Sequence, residues 1–174
     1  MTPFPQLDAE QEAMAAVLSG CRPEMAPAEK SRLAEEACRI LTQIAQVREE
    51  IVYPACVGKA PARLLDAFVI EEDLIRVLVA EIIQSGPSGL LYDGLIQALK
   101  DAVRRRWSEE EAPGGLWSWV SASPGLETTD LAIGDRLREL DQASRSGDWL
   151  PLMPLGLETL RTSVPPGATR WTDL

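Results

Sequence analysis

The sequence predicts an all-α fold: an up-down-up-down four-helix bundle with a short fifth helix and an irregular Pro/Trp-rich C-terminal strap. Three observations predict it. Apolar residues recur at steps of three and four through four long stretches, the period of a helix with one buried face. Pro and Gly break those stretches around 20–23, 58–61, 85–89 and 113–115, which leaves short loops and antiparallel neighbours. No alternating strand pattern and no internal repeat competes.

The elements follow in order. Pro3-Phe4-Pro5 reads as an extended lead, after which Asp8 as N-cap and Gln11 three residues on mark a helix start. Leu7, Met14, Val17 and Leu18 give the first helix its apolar side, and Gly20 and Pro23 end it. Pro27 suits the first position of a second helix running to about 57, with Leu33, Ala37, Ile40, Ile44, Val47, Ile51 and Ala55 as its stripe. Pro54 lies inside it, so a kink or a loosened last turn is expected. Pro61 opens a third helix with Leu65, Phe68, Ile75, Val79 and Ile82 inside, ended by Ser85-Gly86-Pro87-Ser88-Gly89. A fourth starts near Leu90, with Leu91, Leu95, Leu99, Ala102 and Val103 as its stripe. A short fifth helix over 127–143 carries Leu131, Ile133, Leu137 and Leu140.

Two segments result: residues 1–145 as the bundle with its fifth-helix extension, and 146–174 as a Pro/Leu/Trp-rich segment packing on it. Tryptophans 107, 117, 119, 149 and 171 all fall in the C-terminal portion of the chain. Apolar and proline-rich together, the tail reads as a strap that covers apolar surface or docks a partner.

Composition narrows the function. Asp and Glu number 27 against 17 Lys and Arg, a net charge of −10, which lacks the basic footprint of a nucleic-acid binder. No apolar run reaches the length of a membrane span, and no secretory signal is visible, so a cytoplasmic location is expected. Cys21, Cys38 and Cys56 show no C-x-x-C spacing, which argues against a disulfide framework or a structural zinc site. The chain has no histidine at all. That absence excludes Ser-His-Asp and Cys-His catalysis, histidine acid–base chemistry and His-ligated metal or haem sites.

Ionisable residues interrupt the apolar stripes. Glu10 or Gln11 falls between Leu7 and Met14; Arg48 sits one turn after Ile44, at the stripe's edge; Glu72 shares the Phe68/Ile75 face; Arg106 and then Glu109 or Glu110 follow Leu99 and Ala102. In an antiparallel bundle all four positions lie towards the same end. Four helices then aim polar groups at one level, which is how bundle metal sites are built.

These residues carry a resemblance. Glu49-Glu50-Ile51-Val52-Tyr53-Pro54-Ala55 is similar to the E-E-I-F-Y-P-A segment of the hemerythrin-like (HHE cation-binding) family. Thr42-Gln43-Ile44-Ala45-Gln46 resembles its T-x-H-A-x, and Leu91-Tyr92-Asp93 with 105–111 resembles L-Y-D followed by H-H-x-x-E-E-E. The likeness spans about 8–142 and includes a fifth helix. It implies a four-helix bundle holding a non-haem di-iron centre on histidines and carboxylates, used for oxygen binding, sensing or iron handling. Carried over position by position, the first-helix histidine falls at about Glu10. The second-helix H-x-x-x-E pair becomes Ile44 and Arg48, and the third-helix histidine becomes Glu72. The histidine pair of the fourth helix becomes Arg105 and Arg106, with Glu109 and Glu110 keeping their carboxylates. No histidine ligand remains, and a motif carboxylate has become a cation.

The reading is therefore a hemerythrin-like protein without its di-iron site or any cofactor. It is a non-catalytic binding, regulatory or scaffold module in which a Glu/Arg ion-pair cluster replaces the metal. Its partner is an unnamed protein or a second copy. An alternative is a carboxylate-ligated site for iron, Mn or Mg on Glu10, Glu49, Glu72, Glu109 and Glu110, with a sensing or redox role. A third is a thiol sensor on Cys56 or Cys38.

Overall fold

The structure is a computed structural model, and it describes residues 2–145. The expected strap over 146–174 lies outside the described residues. Among those described, regular structure is entirely helical: α1 (Pro5–Gly20), α2 (Pro27–Val47), a π-helical segment (Arg48–Val52), α3 (Tyr53–Cys56), α4 (Ala62–Ser85), α5 (Tyr92–Glu111), α6 (Leu116–Val120) and α7 (Leu126–Arg145). No helix among them is long and apolar enough to cross a membrane.

Helix α1 starts three residues before the expected Asp8. Phe4 is its extended N-cap residue and Pro5 its first helical residue, because proline's fixed φ suits that position. The Asp8 carboxylate instead accepts the Thr2 backbone N–H through both oxygens, at 2.9 and 3.0 Å. Leu7, Met14 and Leu18 face the core as expected, together with Gln11.

Helix α2 is where Pro54 acts. Proline has no N–H to give to the carbonyl four residues back, and its ring crowds that carbonyl. The backbone answers one turn earlier: the Tyr53 N–H reaches the carbonyl of Arg48, five residues back, and residues 48–52 widen into a π turn. One extra residue in that turn shifts the buried face along the chain. Ala37, Ile40, Ile44 and Val47 are buried on the expected stripe, but from the end of the π segment onward Val52, Tyr53 and Cys56 are buried in place of Ile51 and Ala55.

Helix α4 buries Phe68, Ile75, Val79 and Ile82, and ends at Gly86, whose φ of 61° is the left-handed conformation that glycine tolerates. The stripe of α5 differs from expectation. Leu90 and Leu91 are exposed, and the buried line runs Tyr92, Ile96, Leu99, Val103, Arg106 and Glu110. That line keeps three-and-four spacing, so it competed on equal terms with the Leu91 line; Tyr92 won the interior.

Helix α6 is not among the helices expected from the sequence. It buries Leu116, Trp117 and Val120, and the Trp117 ring meets Phe4 edge-on with centroids 5.9 Å apart. Trp117 thus belongs to the core. Along α7, Ile133 and Leu137 are buried while Leu131 is exposed. Gly134 lets α7 approach α1 closely, since a Cβ there would stand 3.0 Å from the Gln6 side chain.

Packing relations fix the directions. Helix α1 packs on α2, α4 on α5 and on α2, and α7 on both α1 and α2. Ser31 and Glu35 of α2 line one small cavity with Ile82 and Ile83 of α4, while Arg48 at the other end of the α2 line reaches Glu72. These two helices therefore run antiparallel. Lys30 pairs with Asp93 at 2.6 Å and Arg48 with Glu110 at 2.9 Å, so α2 and α5 run the same way. Lys30 and Lys100 also donate to the carbonyls of Pro23 and Cys21, tying down the chain between α1 and α2.

Candidate functional site: a buried guanidinium–carboxylate cluster

Four charged side chains meet inside the molecule. Arg48 (1% exposed) comes from the π segment, Glu72 (2%) from α4, and Arg106 and Glu110 (1% each) from α5. Arg48 donates one Nη to Glu72 Oε2 at 3.1 Å and the other to Glu110 Oε2 at 2.9 Å, bridging α4 and α5. Arg106 Nε donates to Glu110 Oε1 at 3.2 Å, one turn along α5, and its Nη2 lies 3.2 Å from Glu72 Oε2. Two guanidiniums and two carboxylates close a neutral ring of alternating sign.

Tyr53 completes the ring. Its hydroxyl donates to Glu72 Oε2 at 3.1 Å and accepts from Arg106 Nη2. Without the π turn, Tyr53 would lie about 100° further round the helix. Arg106 also donates to the Phe68 carbonyl, and its guanidinium carbon stands 5.0 Å from the centroid of the Phe68 ring, a cation–π contact. Beside the ring, Arg76 donates to Glu49 at 2.7 Å. Arg48 Nε and Gln11 Nε2 have no hydrogen-bond partner among the described residues.

Electrostatics divides the two carboxylates. Burial pushes the Glu72 carboxyl upward, but Arg106 and Arg48 outweigh it and hold its pKa below the ordinary value. For Glu110 burial wins over the same two cations, helped by the Glu72 charge, and the carboxyl is raised. Burial works against the charge on Arg48, yet Glu110 and Glu72 overcome it and raise its pKa. Burial raises the Tyr53 phenol, which stays a neutral donor.

The sequence-derived positions are partly gathered. Arg48, Glu72, Arg106 and Glu110 converge, and Ile44 is buried in the core. Three do not join. Arg105 and Glu109 are exposed, because the interior line of α5 passes through 103, 106 and 110. Glu10 is half-buried on the α7 side, in a cleft with Asp141 and Arg138, and its carboxyl is raised by burial and then by Asp141. Gln11 holds the interior position on α1. Arg48 is not at the edge of its stripe; it is wholly enclosed. Two participants were missed: Tyr53, which a straight helix directs elsewhere, and Arg76, whose spacing of four from Glu72 was a legible signal.

A di-iron centre does not fit these residues. Guanidinium groups only donate and cannot ligate a metal, and two of them sit within the cluster. Both buried carboxylates turn their oxygens to those groups. The five glutamates of the carboxylate-only alternative are dispersed: Glu10 beside Asp141, Glu49 on Arg76, Glu109 outside, Glu72 and Glu110 on arginine. Among the described residues no group of three or more His, Cys, Asp or Glu side chains is placed to hold a metal ion. The thiols are no better suited to sensing. All three are buried, and burial pushes Cys38 up to about 12 and Cys56 to about 11.

No family model matches the chain, and no curated protein or solved structure matches it.

Proposed function

We propose that this chain is a hemerythrin-like four-helix bundle whose metal centre has been replaced by internal ion pairs, and that it serves as a non-catalytic binding, regulatory or scaffold module. On this reading α1, α2, α4 and α5 are the four bundle helices and α7 is the family's fifth. The antiparallel run of α2 against α4 and the shared direction of α2 and α5 support that topology.

One observation carries the proposal. The buried ring draws Arg48, Glu72 and Arg106 from three positions that correspond to metal ligands in the resembled family. Guanidinium supplies there the positive charge that iron supplies in a hemerythrin-like site, and its fork matches carboxylates. A closed, neutral ring with no open ligand position is a structural device and not a reaction centre.

Metal analysis of the full chain from iron-supplemented cells tests it. The expected result is iron far below one equivalent, no oxo-bridged absorption band, and a cooperative thermal transition. Near-stoichiometric iron with such a band overturns the reading.

A further inference from the structure

The outer face of α4 is the least explained surface of the molecule. Ile70 (46% exposed), Leu74 (55%) and Val77 (40%) stand on it at steps of four and three, with Ala67 one turn before them. Arg63 and Glu81 continue the same exposed line at its two ends. Neither has an ion-pair partner among the described residues, although most other exposed arginines of the chain do.

The line is palindromic. Ile70 and Leu74 lie two residues either side of position 72, Ala67 and Val77 five, and Arg63 and Glu81 nine. An antiparallel copy of the same helix, related by a two-fold axis at the level of residue 72, therefore meets apolar with apolar in every central layer. It also sets Arg63 against the partner's Glu81 at both ends, about 27 Å apart. Steps of three and four are those of a helix–helix seam. A two-fold contact requires this kind of self-complementary patch.

We infer that the α4 face is a homodimer interface, with Ala67, Ile70, Leu74 and Val77 as its centre and Arg63–Glu81 pairs across its ends. The inference stands apart from the metal-loss reading, since none of these side chains belongs to the buried ring. The interface is small, and the two-fold brings the half-buried Glu71 and Asp73 of each copy towards those of the other. Association is accordingly weak.

Analytical ultracentrifugation of the full chain, from about 1 µM to several hundred µM, tests this. A monomer–dimer equilibrium is expected, abolished by Leu74→Glu. Arg63→Glu and Glu81→Arg should each weaken it about tenfold, by losing two pairs and opposing like charges. The double variant Arg63→Glu/Glu81→Arg should restore it to within about twofold, because the pairs re-form with signs exchanged. All three substituted residues are exposed, so thermal melting of each variant at about 1 µM, where the wild type is mostly monomeric, should match that of the wild type. A wild-type monomer throughout, as when another part of the chain or a different protein covers this face, overturns the inference. So does a dimer that ignores Leu74→Glu, or a double swap that fails to restore association.

Discussion

The chain makes the same bond in two places. Arg48 meets Glu110 at 2.9 Å inside the molecule, and Arg136 meets Glu50 at 2.7 Å on its surface. By distance the surface pair is the better one. The pKa directions reverse that impression of equivalence. Hydrogen bonding from Arg136 holds the Glu50 carboxyl below its usual value, whereas Glu110 is raised although two guanidiniums touch it. The difference is water. At Glu50 solvent has already stabilised the charge and arginine adds a little; at Glu110 solvent is gone, and two cations do not fully replace it. Arginine–carboxylate distance therefore says little about energy until burial is known.

Four experiments break or sharpen this contrast. The largest effect is expected from Arg48→Ala, which strands Glu72 and Glu110 in the interior. Chemical denaturation should show a loss of about 3–5 kcal/mol, and a loss no greater than at an exposed arginine would place the ring in a wet environment. Next comes Glu72→Gln, measured against pH. The Glu72 carboxyl is lowered on folding, so its stabilisation is present above its unfolded pKa and is lost as pH falls through its folded one. The gap between wild type and variant should narrow as pH drops from about 5 to 3. Glu110, being raised, pulls the opposite way: it favours the fold at low pH and loses that advantage as pH rises through its folded value. Third, Arg136→Ala on the surface should cost less than about 1 kcal/mol and be masked by salt. The smallest effect is expected from replacing the whole ring, with Arg48→Met, Arg106→Met, Glu72→Leu, Glu110→Leu and Tyr53→Phe together. Stability within about 1 kcal/mol of the wild type, or above it, is the expected outcome. A large loss would mean the ring contributes net stability as well as placing the helices.

Legibility in the sequence divides along physical lines. Helix positions were readable because Pro and Gly punctuate them and the apolar period is strong; the long helices lie close to where their breakers put them, although α5 buries a different line and the second helix is interrupted at 48. The start of α1 was misplaced because Asp8 is a good cap residue by type, and type alone does not reveal that Pro5 already nucleates the helix. Helix α6 has only five residues, too short to express a period. At the site, Arg48, Glu72, Arg106 and Glu110 were legible as polar intrusions on apolar faces. Glu10 was preferred over its neighbour Gln11, and a choice between adjacent residues turns on a rotation of about 100° that only packing settles. Tyr53 was hidden for a different reason: the period was extrapolated through residues where it slips.

That slip at Pro54 has a consequence for how the chain can vary. Residues 27–47 and 52–56 are read in two different frames, offset by one position, like text after an inserted letter. A continuous frame would mark Ile51 and Ala55 as intolerant of polar replacement and leave Val52 and Cys56 free. The offset shifts that map: 52, 53 and 56 are the buried positions, while Ile51 and Ala55 are only partly covered. Removing one residue from 48–52 would rejoin the frames, and the tyrosine would then keep its place against the arginines with no wide turn to carry it there.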